Sequence, residues 1–216
     1  HGWEERLDSL KIPAMKKQIY DLLEERYMED LSLQDAASRL NYSEPYFCKF
    51  FKQQFDKNFI TYLTQLRVEK AKELLSSGKV QRVVGWRRGL FDYDVTPGVF
   101  TDAGDIEKNF VYNKWCGANL SKYLVKITRE IETAKSTTRM NNTMAKQRDP
   151  NAAETPIPQE MVLVFLKPCD SYSFTELLKE NRINREDVYV VGISCDSMAD
   201  PETEKEAERC VNCKSK

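Results

Sequence analysis

The segment Leu31 to Phe55, LSLQDAASRLNYSEPYFCKFFKQQF, constrains the fold most tightly. Phe47, Phe50, Phe51 and Phe55 recur at spacings of three and four, the period of one apolar helix face. Ser43 stands just before that run as a helix cap, and Pro45 is tolerated in the first turn. Upstream, Ser32 and Asp35 form a capping box in which Asp replaces the usual Glu, so a short helix runs to Leu40. Only Asn41-Tyr42-Ser43 separates the two helices, and Asn tolerates the left-handed backbone such a turn needs. The pattern predicts a helix-turn-helix whose second helix is held outward as a rod.

A rod of that size fits the major groove of duplex DNA. Its outward face carries Ser43, Glu44, Pro45, Cys48, Lys49, Lys52 and Gln53. Lys49 is the best placed of these for a base edge, and Lys52, nearer the end of the exposed face, for a phosphate. Base contacts of this kind contribute roughly 1–3 kcal/mol of discrimination each. The alternative for the same helices is a bundle used for protein contact. Net charge over the chain is −1, but between Leu31 and Lys79 eight Lys/Arg oppose five Asp/Glu, a local excess of +3 that suits phosphate.

Two helices flank this pair. Pro13 is expected in a first turn, followed by Met15, Ile19, Leu22, Leu23 and Tyr27 at helical spacing. A longer helix is expected from about Ile60 to Ser77, with Gly78 as its stop. Beyond Gly78 the texture changes. Val80–Arg88 and Leu90–Val95 read as strands divided by Gly89, and 105–111 and 120–134 as helices. Residues 136–160 have no apolar period and are expected to be a flexible insertion. Met161–Leu166, Phe174–Asn181 and Val188–Ile193 then read as strand, helix, strand, a parallel βαβ unit. The expected fold class is α plus α/β: an all-α module over 1–79, then a small α/β domain over 80–216.

The stretch from Leu31 to Leu75 resembles the first helix-turn-helix of the AraC/XylS regulators. The shared marks are Ala36-Ala37, Tyr42-Ser43, Tyr46-Phe47, Phe51-Lys52, Tyr62 and Leu66-Arg67-x-Glu69-Lys70-Ala71. The resemblance implies a sequence-specific transcription regulator, with base contacts at Pro45, Cys48 and Lys49. Neither Pro nor Cys is a strong base reader. That family carries a second helix-turn-helix after the linking helix, whereas this chain continues as QRVVGWRRGLFDYDVTPGVF. One unit offers about half the phosphate contacts, so weak binding is expected of a monomer. A homodimer would restore two reading helices, although no heptad seam demands one.

Six cysteines are present: Cys48, Cys116, Cys169, Cys195, Cys210 and Cys213. Cys169 and Cys195 each follow an expected strand, at the carboxyl ends where ligand sites of open α/β sheets gather. Cys210-Val-Asn-Cys213 adds a CxxC pair. Four thiolates suit an iron–sulfur cluster, or less readily zinc. The plainer alternative is that cysteine serves as a small buried apolar residue. Cys116, beside Trp115, is expected in the core. Asp170 and Asp196 are candidates to cap helix starts. The only histidine is His1, so neither a histidine base nor a histidine-rich metal site is expected.

The second half resembles iron–sulfur proteins related to the deazaflavin-coenzyme hydrogenase/dehydrogenase beta subunits, through VVGWRRGLFDYDVTPGVF, Lys167-Pro-Cys-Asp170, Gly192-x-x-Cys195 and CVNC. That resemblance implies electron transfer through a four-iron four-sulfur cluster held by Cys169, Cys195, Cys210 and Cys213, with a redox partner protein. An oxidoreductase subunit is the enzyme reading, and a non-enzymatic regulator is preferred to it. A third reading is two incomplete gene pieces joined in one chain. The chain shows neither a signal peptide nor an apolar run of membrane-spanning length, so a cytoplasmic protein with reduced thiols is expected.

Overall fold

The computed structural model of the chain describes residues 2–29, 31–195 and 197–213. It is mixed helix and sheet, in two compact units. The first comprises His1–Lys70 with Val191–Ser194, and the second Ala71–Val190 with Cys195–Lys216. The division falls between Lys70 and Ala71, inside the linking helix.

Four helices make up the first unit: α1 (Gly2–Arg26), α2 (Leu33–Arg39), α3 (Glu44–Phe55) and α4 (Phe59–Ser76), the last continuing into the second unit. Pro13 lies inside α1, not in its first turn. Residues before it, such as Glu4, Glu5, Arg6 and Leu7, are good helix formers, and the helix extends back through them. The core joins Met15, Ile19 and Leu23 of α1 to Ala36 and Ala37 of α2, Phe47, Phe50 and Phe51 of α3, and Phe59 and Leu63 of α4. Phe51 is its hub. It stacks on Phe55 at 4.3 Å and meets the edges of Phe59 and Tyr62 at 5.3 and 5.5 Å. A polar tie supports this core. Buried Arg67 of α4 donates from Nε to the Tyr27 carbonyl and from Nη2 to the Glu29 carbonyl, both at 2.6 Å, fixing the chain that leaves α1.

The second unit is built on a four-stranded sheet in the order β2-β1-β3-β4. β1 (Arg82–Arg88) pairs antiparallel with β2 (Val95–Phe100) and in parallel with β3 (Val162–Leu166). The parallel pair is joined through α5 (Ala103–Asn109) and α6 (Ser121–Arg148). β3 leads through α7 (Pro168–Lys179) to β4 (Val188–Gly192), its hydrogen-bonded neighbour, and a short α8 (Glu208–Val211) follows. All five β3 residues are buried, as a central strand of this kind requires.

Three expected elements lie elsewhere. The strand expected over Leu90–Val95 is a turn. Gly89 donates to the Asp94 carbonyl at 2.7 Å, and the Asp94 carboxylate accepts from the Leu90 N–H, so β2 starts only at Val95. A Cβ on Gly89 would stand 2.0 Å from Asp94 Oδ2. The helix expected from Phe174 begins six residues earlier at Pro168, whose missing N–H is harmless in a first turn. The flexible insertion expected over 136–160 is helix as far as Arg148. That end of α6 lacks an apolar period because it is largely exposed. Thr133, Thr137, Thr138 and Thr143 turn their hydroxyls to the carbonyls four residues back, and Asn142 pairs with the Thr155 backbone.

Arg87 of β1 and Asp105 of α5 make a two-pronged ion pair at 2.9 and 2.5 Å. Hydrogen bonds from Arg87, then from Asn109, hold the Asp105 carboxyl down at about 2, against an ordinary 3.8. A folded value below the unfolded one contributes stability that is complete above the unfolded value and fades as pH falls through the folded one. Asp105→Asn is therefore expected to lower the unfolding midpoint near neutral pH, with the gap to the parent closing as pH drops from 3.8 toward 2. A gap independent of pH would show that the charge contributes nothing.

Candidate nucleic-acid interface and cysteine centre

In the first unit, the α2–turn–α3 arrangement forms as its local chemistry dictates. Ser32 Oγ accepts from the Asp35 N–H at 3.0 Å, and the Asp35 carboxylate accepts from the Ser32 N–H at 3.2 Å. The Ser32 hydrogen bonds hold the Asp35 carboxyl below its ordinary value. Asn41 takes a left-handed φ of 60°, which turns the chain into α3. Ser43 occupies the cap position of α3, but its side chain makes no capping bond. A cap serves the N–H of the second or third helical residue, and the second here is Pro45, which has none. Asp56, with φ 53°, closes α3.

Phe47, Phe50 and Phe51 anchor α3 inward. Glu44, Pro45, Cys48, Lys49, Lys52 and Gln53 are all exposed, and so is Ser43 before them. Tyr46 is a further exposed residue of the same helix, 53% accessible, with its ring stacked between Tyr42 and Phe50 at 5.6 and 6.2 Å. The face can offer two ammonium groups, an amide, a carboxylate and an aromatic edge to a groove.

In the second unit, the four cysteines singled out from the sequence come from three places near the carboxyl ends of β3 and β4. Cys169 is in the first turn of α7, Cys195 follows β4, and Cys210 and Cys213 sit on and just after α8. All are free thiols, with Cys210 buried and the other three half-buried. Cys195 feels the charges of Cys169 and Cys210, and Cys169 that of Cys213, so all four share one electrostatic neighbourhood. Burial pushes Cys195 up to about 11 and raises Cys169. Cys116 is in the core, as expected, and it also feels Cys195; burial takes it to about 11.

Two residues of this centre were not singled out as site residues from the sequence, although Lys167 belongs to the Lys167-Pro-Cys-Asp170 mark. Lys167 is fully buried at the end of β3. Its ammonium donates to the carbonyls of Cys116 and Ala118 at 3.0 and 2.7 Å, pairs with Asp170 at 3.0 Å, and lies 4.6 Å from the centre of the Trp86 ring. Asp170 thus serves as counter-ion rather than helix cap, while its other oxygen faces Cys169 Sγ at 3.7 Å. Tyr112 is the second. Its ring packs on Trp86 at 5.1 Å and its hydroxyl hydrogen-bonds Cys195; burial, then the nearby Cys195 and Cys116, raise it strongly. Asp196 lies outside the described residues.

The donor set is the kind a four-iron cluster takes, four thiols without imidazole. Among the described residues, no three cysteine, histidine or carboxylate side chains converge as a single metal ion requires. A cluster instead spreads its ligands over separate irons, and its binding releases the thiol protons. The Trp86 indole N–H, buried, finds no hydrogen-bond partner among the described residues. No family model and no curated protein matches the chain.

Alkylation of Cys195 in the metal-free protein is expected to keep accelerating well past 9.0, the ordinary thiol value, toward about 11. Tyr112→Phe removes a bond that favours the thiolate and is expected to move that profile higher. Mass-spectrometric rates across a pH series would read both, and coincident parent and variant profiles would remove Tyr112 from the site.

Proposed function

We propose that this chain is a DNA-binding transcription regulator in which α3 enters the major groove, and that the cysteine centre makes it responsive to redox state or metal. The observation that carries this reading is α3 itself. Three of its four phenylalanines are buried in the core and the fourth, Phe55, packs against it, and a contiguous face with Lys49 and Lys52 is left outward. Lys49 reads a base edge, and Lys52 neutralises a phosphate. Glu44, Pro45 and Cys48 shape the fit more than they add affinity, so a single chain binds weakly and a homodimer on paired half-sites binds better. Six free thiols suit a reducing compartment, the cytoplasm. Among the described residues, no helix is long and apolar enough to cross a membrane.

The test is titration of the protein against duplexes from a randomised pool, over a range of salt. Lys52→Ala is expected to reduce the slope of log affinity against log salt by about one. Lys49→Ala is expected to cost roughly 1–3 kcal/mol on the selected site and relax the preference at one base pair. Binding that ignores both substitutions would reject α3 as the reader.

A second reading, an electron-transfer iron–sulfur protein with its own redox partner, is favoured by the electrostatic neighbourhood that Cys169, Cys195, Cys210 and Cys213 share, with Lys167 acting on Cys169 and Cys195. A bound cluster would supply one-electron storage. The chain's own contribution is four thiol ligands, the Tyr112 hydroxyl aimed at Cys195 and the fixed positive charge of Lys167. Metal and sulfide analysis after anaerobic purification is expected to find about four irons with matching sulfide. Cys169→Ser and Cys210→Ser are expected to lose them. Zinc without sulfide would replace the cluster by a plain thiolate metal site, and neither metal nor sulfide would leave the cysteines as core residues.

A further inference from the structure

α6 has two working faces. Leu124, Ile127, Thr128 and Ile131 are buried on one. The opposite face forms one wall of an open groove of about 830 Å³, and the end of α7 with the chain just after it forms the other. The floor is apolar: Val125 and Ala134 from α6, Leu177 from α7. The rim is cationic. Lys122, Lys126 and Arg129 follow one another at spacings of four and three on α6, and Arg182 faces them. Glu130 is the one carboxylate lining the groove, and Arg82 already holds it at 2.6 Å.

That concentration of charge runs against the chain as a whole, which has 33 Lys/Arg against 34 Asp/Glu. Among the described residues, Lys122, Lys126 and Arg129 form no ion pair, and Arg182 reaches only Glu180, at 3.9 Å. Like charges one turn apart on a helix repel. Apolar side chains left beneath them gain from being covered. Neither the fold of this unit nor the cysteine centre uses the arrangement.

We propose that this groove docks an acidic amphipathic helix from a partner protein. Its length fits: residues 122 to 134 span about 18 Å at helical rise, some three turns of a docked helix. Its chemistry fits as well, because apolar anchors at i, i+3 or i+4 and i+7 would cover Val125, Ala134 and Leu177 while flanking carboxylates meet the four cations. A nucleic-acid backbone would satisfy the cations but leave the apolar floor wet.

The test uses the full chain and a labelled 20-residue helical peptide, with leucine at those spacings and glutamate on both flanks, read by fluorescence anisotropy. Its controls are the scrambled peptide and a 20-base-pair duplex. The helical peptide is expected to bind at least about tenfold tighter than the scrambled one, and to weaken with salt. Lys126→Glu with Arg129→Glu is expected to weaken it by about tenfold or more, and Leu177→Gln severalfold, with the thermal midpoint unchanged. Should the double reversal unfold the protein, Lys126→Gln alone gives a smaller loss in the same direction. Equal binding of both peptides, or indifference to the charge changes, would overturn the proposal. So would a duplex that competes for the groove and is lost with the same residues, which would make the surface a nucleic-acid site.

Discussion

An ammonium group with no access to water is the most demanding feature of the second unit, and the cysteine-bearing end of the sheet is arranged to accommodate it. Lys167 leaves the end of β3 with nowhere to send its charge. Four things meet it: the Asp170 carboxylate three residues on, the Cys116 and Ala118 carbonyls, and the face of Trp86. Together they constrain three separate pieces of chain. Asp170 fixes the first turn of α7, and with it Cys169. The two carbonyls fix the loop before α6. Trp86 ties in β1, and through its contact with Tyr112 the neighbourhood of Cys195. Stripping one partner from a buried ion pair costs about 3–5 kcal/mol, so these positions are coupled through one charge. Cys116, Cys169 and Cys195 thereby sit in the field of one fixed cation.

The first unit depends on a different physics, the mutual packing of aromatic rings. Phe47, Phe51, Phe55, Phe59 and Tyr62 touch one another across α3 and α4. Because the inward face is saturated with them, the outward face is released from any packing duty. Lys49, Lys52 and Gln53 on that face are exposed.

Much of this was legible in advance, for reasons that vary by element. The two helices and the turn of Leu31–Phe55 could be read because caps, a tolerant Asn and an apolar period all act within a few residues. The end of α6 could not, because an exposed helix needs no apolar stripe and its threonine back-bonds leave no periodic trace. The start of β2 was placed five residues too early because Leu90, Phe91 and Tyr93 look like strand residues, and only the Asp94 carboxylate reveals the bend. In the cysteine centre, the strand-end positions of Cys169 and Cys195 pointed to the site. Lys167 stood in the Lys-Pro-Cys-Asp motif, but nothing in that motif foretells a buried charge, and Tyr112 is a lone tyrosine that carries no spacing rule. Their part emerges only once β1, β3 and the loop before α6 are side by side.

The placement of Pro97 bears on how the molecule behaves in a crowded solution. β2 pairs with β1 alone, so its other side is the outer margin of the sheet. Such a margin, if it were a continuous row of donors and acceptors, would invite strands from other molecules to add on and seed fibres. Proline in the middle of β2 keeps its pairing with β1 at the Trp86 register while leaving a gap in that row. The sheet therefore ends there on an interrupted edge, and the chain gains resistance to edge-on aggregation from one residue that has no hydrogen to offer.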